Sequence, residues 1–188
     1  TFNIIPVIKA YKAILDLIDD PSNEVQLLNL EQLLYESRKS ISIDKYRDLK
    51  SYNRAFRVWQ YARSGNPMFR DKIFQITDEH LAGGYFYIDN KITPMSLRVL
   101  TNSGLKVGQF PWVKKLLDDH PPERICGTKY PVEAHSLNVA EYYFHTKEYA
   151  EAEAKLTYRA FENPNFSIMA DLLLIKIYYE TDSELLES

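Results

Sequence analysis

The side chains with most chemical reach in this 188-residue chain are four histidines, one cysteine and a cluster of cations. His80, His120, His135 and His145 form neither HExxH nor HxH, and none has a second ligand at zinc-site spacing, so no metal site is expected. Asp118-Asp119-His120 offers two carboxylates and an imidazole to a cation, but acids that end a helix before a loop are ordinary solvated residues. Cys126 has Arg124 and Lys129 close in sequence, which would lower its pKa, yet no partner base is identifiable. Gly83-Gly84 lacks the flanks of a phosphate-binding loop. With no triad and no carboxylate dyad in evidence, the expectation is a protein that is not an enzyme and needs no cofactor.

The cations carry more information. Lys45 to Lys72 holds eight basic residues against Asp48 and Asp71, a local charge of +6 in a chain whose net charge is −3. Arg47, Lys50, Arg54 and Arg57 recur at i, i+3, i+7 and i+10, one stripe of a helix. Leu49, Tyr52, Phe56 and Trp59 form a second stripe, assigned to the core, so the basic stripe is expected to face solvent. Three uses suit it: a solvated face, a dock for an acidic protein surface, or contact with a phosphate backbone.

The elements that must position these groups are helices. Gly is scarce at 6 residues, which disfavours turn-rich all-β folds, and Tyr is abundant at 14. No apolar run approaches the roughly 18 residues needed to cross a bilayer. A single cysteine forms no intrachain disulfide and fits a reducing compartment, so the expected location is cytoplasmic, away from membranes. Helical spacing runs from Ile4 to Ile18 and stops at DDPSN; Ser22 or Asn23 caps a second helix. A third follows Ser42 to about Ala62, and Asn66-Pro67 opens a fourth that closes at Gly83-Gly84. YFYIDNKI (85–92) has strand-like composition, with Asp89-Asn90 able to turn a hairpin, but its helical flanks favour an ordered loop. Thr93-Pro94 starts a helix to about Val107. A short helix near 112–118 and a proline-rich loop at 120–131 follow, then helices near 132–146, 149–162 and 166–181. Short connections make these helical hairpins. The opening TFNIIP and the closing ETDSELLES, which has the character of a helix start, suggest a piece of a longer protein.

Within EYYFHTKEYAEAEAKLTYRAFENP (141–164), aromatics precede a polar break, and Ala150, Ala152 and Ala154 follow it. Alanines let two antiparallel helices cross closely, and aromatics fill the space to the next hairpin. The stretch resembles a tetratricopeptide repeat, whose unit of about 34 residues has small or apolar positions at fixed offsets and a closing proline. Val139-Ala140, Tyr143, Tyr149, Ala152, Leu156 and Pro164 occupy the matching places. Lys147 stands where glycine is usual, and Arg159 takes a small-residue slot. IKIYYETD echoes AEYYFHTK at a distance of 35 residues, and Gly108, Phe110 and Leu117 give a weaker upstream echo. RDLKSYNRAF, SGNP, the step at 81–87 and LLLIKIYYE resemble a group of long bacterial helical-repeat proteins of no known activity.

The expected fold is therefore all-α: stacked antiparallel helical hairpins, an α-solenoid similar to tetratricopeptide arrays, with nine or ten helices in one domain over 1–188. Divergent hairpins would fill 1–92 and repeat-like hairpins 93–188. The resemblance implies a concave face made by the first helix of each hairpin. It would carry Arg98, Asn102 and Lys106, then Glu141, Phe144 and His145, then Lys176, Tyr179 and Glu180. Such a face suits an extended peptide or a partner helix, with Phe144 and Tyr179 as apolar anchors and Arg98, Lys106 and Lys176 receiving carboxylates. Nucleic-acid binding through the basic helix, or a role as a structural spacer that self-assembles, are the other expectations.

Overall fold

The computed structural model describes residues 4–158 and 160–181. Nine α-helices are present among them, joined by short connections, and the only strands there form one small hairpin. The protein is all-α, with neighbouring helices packed on one another. The chain separates into two compact units, Thr1–Tyr85 and Phe86–Ser188. The expectations for Arg159 and for the final residues 182–188 fall outside the described residues.

In the first unit, α1 (Ile4–Asp19) packs on α2 (Glu24–Ser37), α2 packs on α3 (Ile43–Ser64), and α3 packs on α4 (Pro67–Ala82). Each start follows its local chemistry. Asn23 Oδ1 accepts from the Gln26 amide at 3.0 Å, Ser42 caps α3, and Asn66 Oδ1 accepts from the Met68 amide at 3.0 Å ahead of Pro67. Ala10, Ala13 and Leu17 of α1, Leu27, Leu30 and Leu34 of α2, and Leu49 and Phe56 of α3 make the core. The buried face of α3 also includes Asn53, Arg57 and Gln60, so this interior is unusually polar.

The second unit opens with a strand pair rather than the expected loop. β1 (Tyr87–Ile88) pairs antiparallel with β2 (Lys91–Ile92). Asp89 and Asn90 both take positive φ, 49° and 60°, the backbone of a two-residue hairpin turn that these residue types tolerate. Ile92 is fully buried and bridges Ile125, and the Cys126 amide donates to its carbonyl. The 120–131 loop, which holds one 3-10 turn, is thereby pinned to the hairpin.

From there α5 (Pro94–Lys106) packs on α6 (Phe110–Asp119) and on α7 (Pro131–His145). In turn α7 packs on α8 (Tyr149–Thr157) and on α9 (Pro164–Glu180). Small residues sit at the crossings: a Cβ on Gly104 would lie 2.5 Å from Val113 Cγ2, and Ala140, Ala152 and Ala170 are buried. Of the three alanines of α8, only Ala152 serves a crossing; Ala150 and Ala154 face solvent. Lys147, between α7 and α8, adopts φ of 64°, the left-handed geometry for which glycine is the usual solution.

Two boundaries differ from the sequence reading. α8 stops at Thr157 instead of near 162, and α9 begins at Pro164, which opens that helix rather than closing a repeat. The cause is Glu133. Its buried carboxylate accepts from the amides of Glu162 and Asn163 at 3.0 and 3.1 Å. That holds Asn163 where its side chain caps α9.

Candidate functional site

The helices α5, α7 and α9 of the second unit enclose a cavity of about 420 Å³. Arg98, Ala134, Asn138, Asn163, Phe166 and Met169 are among the residues that line it. Caps position it: Thr93 Oγ1 accepts from the Ser96 amide at 3.1 Å at the start of α5, and Asn163 does the same work for α9. Asn138 is buried, and its amide donates to the Ala134 carbonyl at 2.7 Å. The half-buried Arg98 makes no ion pair or hydrogen bond among the described residues. The site is a hollow with aromatic and thioether walls, interspersed with neutral polar side chains such as Asn138 and Asn163, and one guanidinium that pairs with no acid among the described residues. Pockets of this size and make-up hold side chains or small molecules.

Of the nine residues expected on the concave face, Arg98 alone lines this cavity. Asn102 and Glu141 are half-buried, while Lys106, His145, Lys176 and Glu180 are exposed. A second grouping is electrostatic: Glu141 and Lys176 both act on His145 across α7 and α9. Packing around the ring lowers the His145 pKa, Glu141 raises it, and Lys176 lowers it further, for a net shift downward. The two apolar anchors part company. Tyr179 is 72% exposed, whereas Phe144 is half-buried, packs on the core of α7, α8 and α9, and meets the Tyr149 ring at 5.7 Å. Sequence reasoning missed Asn138, Phe166 and Met169. The available signal was Asn138 itself, a polar side chain inside an apolar helical run, where its helix propensity is poor.

The basic helix also departs from expectation, because its stripe does not face solvent as a unit. Arg57 is 2% exposed; it contacts Glu24 Oε2 at 2.7 Å, Glu31 Oε1 at 3.1 Å and Gln60 Oε1 at 3.1 Å. Arg54 is half-buried and donates to Thr77 Oγ1 at 3.1 Å, and Arg47 pairs with Asp44. Conversely, Tyr52 of the expected core stripe is exposed. The true buried face runs through Tyr46, Leu49, Asn53, Phe56, Arg57 and Gln60, turned toward the basic stripe because the acids of α2 receive Arg57. Burial tends to raise the Glu24 pKa, but hydrogen bonds and charge from Arg57, with Gln60 and Lys72 contributing, hold it below the ordinary carboxylate value.

The other polar groups singled out from the sequence make local contacts. Asp118 and Asp119 pair with Lys114 and Lys115 one turn earlier. His120 is buried, stacks on Tyr87, and has its ring nitrogens against the Leu116 carbonyl at 2.7 Å and the Tyr87 hydroxyl at 2.9 Å. Among the described residues no three His, Cys, Asp or Glu side chains converge as metal ligands, and no helix is long and apolar enough to cross a membrane. No family model, curated protein or solved structure matches this chain.

Proposed function

We propose that this protein is a non-catalytic interaction module whose second unit, a tetratricopeptide-like set of helical hairpins, binds a peptide or partner helix along α5, α7 and α9. The observation that carries the reading is the apolar cavity with Arg98 at its edge. It offers a hollow for one apolar side chain and a free cation for a neighbouring carboxylate. Lys106 and Lys176, both exposed, would extend that preference for acids, and Tyr179 would add apolar contact. The small residues at the crossings and the Lys147 turn support the repeat-like reading. The test is capture of partners by wild type and by the Arg98→Glu/Lys106→Glu/Lys176→Glu variant. Loss of a protein partner in the triple variant supports the module, whereas nucleic acid held equally by both forms moves the function to α3.

A second reading has its own observation. Ile168, Leu172, Ile175 and Tyr179 form an exposed apolar stripe on α9, and Ile8, Tyr11, Leu15 and Ile18 form another on α1. Stripes of this kind suit a segment that assembles with further copies or neighbours. Sedimentation of wild type and Leu172→Glu separates the cases: a dimer or larger species abolished by the substitution favours assembly, and a monomer in both favours the interaction module.

A further inference from the structure

The first unit contains a cavity of its own, of about 430 Å³, lined by charged and polar groups from three helices: Glu31 of α2, Lys50, Asn53 and Arg57 of α3, and Lys72 and Glu79 of α4. Leu28, Tyr35 and Ile76 supply its apolar part. Two of these groups are buried side chains with unmet hydrogen-bonding capacity. Asn53 is 2% exposed, and its Oδ1 has no partner among the described residues; the same holds for Nε of the equally buried Arg57. A buried polar group left without a partner is costly, because it has given up its hydrogen bonds to water and gained none in return. Helices rarely carry such a group inside unless something answers it.

The charges divide into those already spent and those still open. The two terminal nitrogens of Arg57 are taken up by Glu24 and Glu31, which leaves only its Nε open, and Lys72 also reaches Glu24, at 3.3 Å. Lys50 and Glu79 are in no ion pair among the described residues, although they line the same hollow from α3 and α4. A cation that meets no acid among the described residues, although it lies over the Tyr46 ring at 5.9 Å, an anion in no ion pair there and an unpartnered amide oxygen line one cavity, and together they suit a ligand that carries both charges and a donor. From this geometry we propose that the first unit binds a free α-amino acid. Its carboxylate meets Lys50, its ammonium meets Glu79 and donates to Asn53 Oδ1, and its side chain lies toward Leu28, Tyr35 and Ile76. The site is independent of the peptide-binding reading of the second unit.

The test is calorimetric titration of the full chain with each of the twenty common L-amino acids, then with the N-acetyl amide of any that bind. The expected result is saturable binding of at least one, weakened about tenfold or more by Lys50→Met and by Glu79→Gln, and unchanged by Arg98→Met. The N-acetyl amide, which lacks both charges, should not bind. Asn53→Leu should also abolish binding; if that variant does not fold, Lys50→Met and Glu79→Gln carry the test, since neither replaces a fully buried group. Failure of every amino acid to saturate by about 10 mM overturns the proposal, as does binding that survives both charge-removing variants or is retained by the N-acetyl amide.

Discussion

Each unit has a cavity of similar volume, and each cavity is lined by an arginine and a buried asparagine from the interior of a helix. The commitments are reversed. In Thr1–Tyr85 the terminal nitrogens of the arginine are taken up by two glutamates and a glutamine, and the asparagine oxygen has no partner among the described residues. In Phe86–Ser188 the asparagine donates to its own helix, and the arginine has no counter-charge among the described residues. The surroundings follow the same division. The first cavity is walled largely by acids and bases, the second by apolar side chains together with neutral threonines and asparagines and the one arginine. The lesson is that an arginine on a helix says little about function until its acids are located. Arg57 is committed to Glu24 and Glu31, whereas Arg98 meets no acid among the described residues.

The sharpest way to break this contrast is to remove the acids. Glu24→Gln with Glu31→Gln leaves Arg57 buried and uncompensated, and should cost the first unit about 3–5 kcal/mol in urea unfolding. A loss well below 1 kcal/mol would mean that Arg57 is free to turn outward. In the second unit the comparable weak point is packing rather than charge. Gly104→Ala drives a methyl group into Val113 and the Trp112 ring, and should cost up to about 3 kcal/mol, seen as lost protection of α5 and α6 in hydrogen exchange.

Acid should weigh most on the first unit, although burial also lowers the pKa of His120 and His145 in the second. Burial, with Lys50 and Arg54 adding to it, lowers the His80 pKa from 6.5 to about 4. Unfolded, this group takes its proton near the ordinary value, so between the two pKa values the unfolded state holds more protons. His80 therefore contributes stability that is complete above about pH 6.5 and is lost as the pH falls toward 4. The loss is about 2 kcal/mol by roughly pH 5, where most carboxylates remain ionised. His80→Gln should flatten this slope in the first unit when denaturation is followed at both pH values. Smaller effects belong to the second unit. Lys147→Gly relieves a left-handed lysine and should raise the stability of the α7–α8 pair by about 1 kcal/mol. Arg98→Met should leave stability within about 0.5 kcal/mol, in contrast to the loss of the Arg57 pairing.

Local signals made most of the fold legible. Asn23, Ser42, Asn66-Pro67 and Thr93-Pro94 open helices as their chemistry dictates. What stayed hidden was set at a distance. Hydrophobic spacing could not show that Arg57 turns inward, because the reason lies on α2. The early end of α8 depends on Glu133, a residue of the preceding helix that captures two loop amides. The hairpin at Asp89-Asn90 had a readable turn and was outweighed by its helical flanks, although the pairing of Ile92 with Ile125 supports it. In the candidate site Arg98 was legible as a cation. The hollow beside it was not, since Phe166 and Met169 reach it from a helix far along the sequence.

The measurement that bears most directly on the central claim is a peptide-display selection against the full chain, repeated with Arg98→Glu and, as a control from the first unit, Lys50→Met. The account predicts enrichment of peptides that combine an acidic residue with a nearby bulky apolar one, with binding reduced about tenfold or more by Arg98→Glu and unchanged by Lys50→Met. Enriched peptides that bind all three forms equally, or no enrichment at all, would contradict it.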